Sequence, residues 1–144
     1  MSQDHRREQI TQLSNALQGA PASPQPSLGI DIDGCVDEAP LFFQILTNCW
    51  PGKVFVISFR SDQAKAEAYL AQFKIRYDEL ILVPSFEAKA EVIREHGILV
   101  FMDDQPEVLK HIPESVNVLL FRNGGNFDYE DRKWMFSDKT GKLV

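Results

Sequence analysis

The sequence predicts an α/β domain, with five strands in one parallel sheet and helices on both of its faces. Three observations carry this reading. Five short apolar runs alternate with helical patterns of 8–13 residues, the rhythm of consecutive strand–helix–strand units. The clearest of these runs, such as Val54-Phe55-Val56-Ile57, are continuously apolar, as expected for strands buried on both faces. Carboxylates stand where the first and fourth runs end, and in such sheets ligands gather beyond the carboxyl ends of the strands.

Residues 3–18 read as a helix with a narrow stripe of Ile10, Leu13 and Leu17. Residues 19–27 hold three prolines and read as an extended linker, and the domain proper covers 28–144. Leu28–Asp33 is the first strand. A helix over Ala39–Cys49 ends before Trp50-Pro51-Gly52. Lys53–Ser58 is the second strand. Ser61 and Asp62 are N-cap residues for a helix reaching Phe73. Glu79–Val83 is the third strand, and Ser85 caps a helix from Phe86 to Glu95 that His96-Gly97 closes. Ile98–Met102 is the fourth strand, leading directly into Asp103-Asp104. A short helix over Gln105–His111 tolerates Pro106 in its first turn, and Val116–Phe121 is the fifth strand.

Bulk properties narrow the class. A length of 144 residues suits one domain with one core, and 44% hydrophobic with 25% charged residues is ordinary globular composition. No apolar run approaches the roughly 20 residues needed to span a bilayer, and the polar N-terminus is unlike a secretory signal. Two cysteines, Cys35 and Cys49, suggest no disulfide framework, so a cytoplasmic protein with reduced thiols is expected. A net charge of −6 argues against non-specific nucleic-acid binding.

The chemistry concentrates in Ile30-Asp31-Ile32-Asp33-Gly34. Alternation along an extended chain places the side chains of Asp31 and Asp33 on one side, and Gly34 offers a turn out of the strand. Two carboxylates held close are costly unless a cation lies between them or one keeps a proton. Either escape is chemistry: a hard-cation site with oxygen ligands, or a nucleophile beside a general acid. The bland alternative is a strand ending in a solvated turn. The rest of the rim weighs against it, because the second strand delivers Ser58, the fourth delivers Asp103 and Asp104, and Lys89 lies on the intervening helix.

This arrangement resembles the haloacid dehalogenase-like superfamily, most of whose members are Mg²⁺-dependent phosphatases. Four motifs over residues 28–121 carry the resemblance: Ile30-Asp31-Ile32-Asp33-Gly34, Val56-Ile57-Ser58, Lys89, and Val100-Phe101-Met102-Asp103-Asp104. It implies a three-layer Rossmann-like domain with strand order 5-4-1-2-3. It implies Asp31 as nucleophile and Asp33 as general acid and base. Mg²⁺ would be held by Asp31, Asp103 and Asp104, with Asp33 contributing its backbone carbonyl. Ser58 would donate to a phosphate oxygen, with Gly34, Phe59 and Arg60 on the substrate side, and Lys89 would neutralise charge around the nucleophile.

Bland readings stand beside these. Ser58 also suits a turn start, Lys89 a solvated helix surface, and Asp104 the N-cap of the following helix. Arg60 has two candidate targets, the substrate or a site carboxylate, and is also placed as a helix-start surface residue. Arg122 and Asn123 fall on the same rim after the fifth strand, where either is a candidate substrate contact, in a segment that is first of all a turn. Cys35 lacks a neighbouring histidine and is read as a small residue near the site. Trp50 and Trp134 are read as packing.

The spacings leave no room for a cap domain, with about 17 residues between Val36 and Val54 and about 30 between Ser58 and Lys89. The expected site is therefore open, suited to a macromolecular phosphate, or to a small one if a second copy of the chain supplies a lid. The expected function is Mg²⁺-dependent phosphomonoester hydrolysis through an aspartyl-phosphate. The alternatives are a non-catalytic phosphate- or metal-binding regulatory module, and phosphoryl transfer to an acceptor other than water.

Overall fold

The computed structural model describes residues 8–11 and 25–123. Its elements run β1 (Leu28–Ile30), a π-type turn (Ile32–Val36), α1 (Pro40–Cys49), β2 (Val54–Ser58), α2 (Gln63–Gln72), β3 (Glu79–Leu82), α3 (Phe86–Glu95), β4 (Val100–Asp103), α4 (Pro106–Leu109) and β5 (Asn117–Leu120). All five strands are parallel, in the order β3-β2-β1-β4-β5, which is the expected order read from the other edge.

Period-two alternation explains why the sheet carries two cores. Leu28 and Ile30 of β1, Val54 and Val56 of β2 and Met102 of β4 face one side. There they meet Phe43 of α1 with Ala66 and Leu70 of α2. Phe55 and Ile57 of β2 and Phe101 of β4 face the other side, where they meet Ile93 of α3 and Val108 of α4. Three layers result. Gly29 lies opposite Phe101 in the second core, and a Cβ there would stand 2.8 Å from the Phe101 ring, so the aromatic side chain occupies the space that glycine leaves.

The helix starts follow local chemistry. The Asp62 carboxylate accepts the Lys65 N–H at 3.0 Å, and the Ser85 hydroxyl accepts the Ala88 N–H at 3.0 Å. Two strands differ from expectation by more than one residue at an end. β1 stops at Ile30 because the chain beyond Asp31 coils into the π-type turn, with Gly34 at φ 79°. Asp31 and Asp33 are therefore not alternate residues of one strand. β4 begins at Val100 rather than Ile98, because the Ile98 N–H returns to the Ile93 carbonyl at 3.0 Å and completes the exit of α3.

Glu8–Thr11 are helical, and the remainder of the expected 3–18 helix lies outside the described residues, as do residues 124–144 with Trp134. The end of the linker is anchored to the domain. The Pro26 carbonyl accepts Trp50 Nε1–H at 2.7 Å, and the Ser27 carbonyl accepts the Leu99 and Val100 N–H groups at 3.3 Å. Between β1 and β2 the chain forms the π-type turn and α1, and between β2 and α3 it forms only α2 and β3, so no cap domain is inserted there. Among the described residues, no helix is long and apolar enough to cross a membrane.

Candidate functional site

The sheet register brings the acids together. Ile30 pairs with Met102, so the residues that follow them, Asp31 and Asp103, leave adjacent parallel strands side by side. The Asp31 N–H still bonds the Met102 carbonyl at 3.2 Å. The carboxylates of Asp31, Asp103 and Asp104 offer oxygens that all lie within 4.8 Å of one another, and all three residues are buried.

Lys89 enters this cluster from α3. It lies one helical turn before Ile93 and shares that residue's buried face, so only 1% of its side chain is exposed. Its Nζ stands 2.7 Å from Asp103 Oδ2 and 3.2 Å from Asp31 Oδ2. The solvated-surface reading of Lys89 is overturned by this burial. The other oxygens are fixed by backbone: Asp31 Oδ1 accepts the Ile32 N–H at 2.8 Å and Asp103 Oδ1 accepts the Gln105 N–H at 2.9 Å. The helix-cap reading of Asp104 is also set aside. The cap position of α4 is Gln105, and Asp104 turns its carboxylate into the cluster.

Electrostatics follow from crowding three carboxylates around one ammonium. Burial pushes Asp31 up to a pKa of about 6, opposed by the Lys89 charge and assisted by Asp103. Burial and then Asp103 raise Asp104. Burial works against the Lys89 charge, but Asp31 and Asp103 outweigh it and leave the ammonium above its ordinary value. Burial also pushes the Cys35 thiol far up, which removes it as a nucleophile. Ser58, buried at the end of β2, lowers the Asp31 pKa through its hydroxyl, yet its Oγ completes no hydrogen bond of ordinary geometry. A hydroxyl has one O–H to donate, and here it can serve either the Asp31 carboxylate or an anion beside it.

Asp33 stands apart from the three-acid cluster. Its side chain is 54% exposed and is gripped at both oxygens by Arg60, with Nη2 to Oδ1 at 2.6 Å and Nε to Oδ2 at 2.8 Å. That pairing holds the Asp33 carboxyl below the usual carboxylate range. Arg60 also lies over the Tyr69 ring, 5.0 Å from its centroid. Of its expected targets, Arg60 thus reaches the site carboxylate.

Two contacts lie beyond what sequence reasoning specified. The Asn123 side-chain amide donates to the Gly34 carbonyl at 2.7 Å and lies 3.4 Å from Asp104 Oδ2, so it fastens the glycine turn to the acid cluster. Gly34 meets a tight steric demand, because a Cβ at that position would overlap the Asp104 carboxylate. The asparagine was legible as a residue of the correct rim, whereas its reach across 89 positions was not. Phe59 is exposed, with its ring 6.5 Å from that of Phe86.

Comparison with protein-family models, curated proteins and solved structures returns no match. The function must therefore be argued from the site itself.

Proposed function

We propose that this chain is a Mg²⁺-dependent phosphomonoesterase that works through Asp31, in the manner of the capless haloacid dehalogenase-like enzymes its motifs resemble. The observation that carries the proposal is the buried Asp31–Lys89–Asp103 bridge with Asp104 beside it. Three buried carboxylates exceed what one ammonium balances, and a second positive charge relieves the deficit.

The donor set fits Mg²⁺: carboxylate oxygens with no sulfur or imidazole among them. Bound by Asp31, Asp103 and Asp104, the ion would withdraw charge from phosphoryl oxygens. The remaining chemistry belongs to the side chains. Asp31 attacks phosphorus, forming an acyl-phosphate O–P bond as the ester P–O bond breaks. Lys89 and the Ser58 hydroxyl face the charge that develops on the phosphoryl oxygens. Asp33, once released from Arg60 and protonated from solvent, gives that proton to the departing alkoxide, then takes one from the water that hydrolyses the acyl-phosphate.

One observation favours the rival reading of a non-catalytic phosphate- or metal-binding module: the Asp33 carboxylate is committed to Arg60. Release of phosphate from para-nitrophenyl phosphate, with Mg²⁺ and with chelator, decides between the two. Metal-dependent turnover lost in Asp31→Asn supports the enzyme. Mg²⁺ binding without turnover of any phosphate ester supports the module.

A further inference from the structure

We infer that the site takes phosphate monoesters whose leaving group carries a planar aromatic ring, and that the ring lies in the groove between the loops following β2 and β3. This rests on the phosphatase reading only for the position of the phosphate. The groove has a volume of about 550 Å³ and is lined by Phe59, Arg60, Ser61, Leu82, Val83 and Pro84. That size falls within the range of cavities that hold nucleoside- or drug-sized groups.

Three features point to an aromatic occupant. Phe59 and Arg60 directly follow Ser58 in the chain, so the groove starts one residue beyond the strand end whose hydroxyl acts on Asp31. One wall is apolar, formed by Leu82, Val83 and Pro84, and the other sets Phe59 beside the polar Arg60 and Ser61. Phe59 is 59% exposed, and its ring meets that of Phe86 at 6.5 Å with the planes tilted 51°, so an aromatic pair with room for a further ring stands in the groove wall. Arg60 joins the two regions, since the same residue lines the groove and holds Asp33. A sugar or short alkyl group would leave these walls wet, whereas a ring would bury them.

The test is binding, so that it does not depend on turnover. Asp31→Asn protein with Mg²⁺ is titrated calorimetrically with adenosine 5′-monophosphate, phenyl phosphate, ribose 5-phosphate and inorganic phosphate. At least one aromatic ester should bind about tenfold more tightly than ribose 5-phosphate, the scale of one ring stacked on an aromatic side chain. Adding Phe59→Ala should reduce that preference to within about twofold, and Phe59→Tyr should retain it. Preference for the nucleotide alone identifies a base held at a sugar's distance, and preference for phenyl phosphate alone identifies an aryl ester; either supports the inference. Equal affinities, no binding of the aromatic esters, or a preference that survives Phe59→Ala would overturn it. Aromatic preference without hydrolysis by the wild-type chain would keep the groove and remove the phosphatase. Equal hydrolysis of all the esters, with no preference in binding, would do the reverse.

Discussion

Lys89 Nζ lies 2.7 Å from Asp103 Oδ2, and both groups are sealed from solvent. Removing one partner of such a pair leaves a buried, uncompensated charge. Lys89→Met should therefore destabilise the metal-free chain by about 3–5 kcal/mol. Mg²⁺ should return part of that loss, because it restores positive charge among the same acids. Urea midpoints with and without Mg²⁺ measure both effects, and an unchanged midpoint in the variant would contradict the ion pair.

Gly34→Ala should fail for two separate reasons. The residue sits at φ 79°, where a non-glycine side chain costs about 1–2 kcal/mol, and its Cβ would displace the Asp104 carboxylate. The expected outcome is a modest loss of stability together with a large loss of Mg²⁺ affinity. Titrating Mg²⁺ against the thermal midpoint separates the two, because backbone strain alone lowers the midpoint without abolishing its response to the ion.

Asp33→Asn should part metal binding from chemistry. The Asp33 carboxylate lies outside the cluster of Asp31, Asp103 and Asp104, so Mg²⁺ affinity should stay close to that of the wild type. Turnover of para-nitrophenyl phosphate should fall by about 10²–10⁴-fold, the usual contribution of a general acid and base. Asp103→Asn should lose both. Equal loss of Mg²⁺ binding in the two variants would place Asp33 among the ligands.

The Asp31 pKa of about 6 gives the site a pH dependence of definite sign. A cation requires the ionised carboxylate, so Mg²⁺ affinity should rise from pH 5 to pH 7 and then level off, being about tenfold weaker at pH 5. The metal-free chain should show the opposite trend in stability from this group. Between pH 3.8 and about 6 the folded state holds a proton at Asp31 that the unfolded state releases, so stability should fall as pH rises through that window. Calorimetric titration at pH 5 and pH 7.5 and denaturation of the metal-free protein across pH 4–7 test the two arms.

The thiols should differ sharply. Cys35 is buried with its pKa pushed far up, and Cys49 is exposed. Iodoacetamide at pH 8 should modify Cys49 alone in the native protein, and Cys35 only after denaturation, as read by intact mass.

The sheet and most of the cluster were legible in the sequence because both depend on local pattern. Apolar runs define strands, and an acid that follows an apolar run lands at a strand end. Lys89 was legible in the same way, since its spacing from Ile93 places it on the buried face of α3, although a charged residue there invites the surface reading. Strand alternation ends before Asp33 because a π-type turn begins one residue after Asp31, with Gly34 packed against Asp104, a contact that no local pattern encodes. The Asp33–Arg60 and Asn123–Gly34 contacts span 27 and 89 positions. Contacts of that range exist only once the sheet has set the distances between its strand ends.

The Asn123 clasp on Gly34 has a consequence for the order in which the protein is made. The glycine turn is synthesised early, before either strand that flanks β1, and the residue that fastens it comes after β5. β1 must wait for β2 and β4 to emerge before it has neighbours. Gly34 and Asp104 are not clasped together until the fifth strand has paired. A nascent chain therefore completes its sheet before it fastens the glycine turn to the acid cluster.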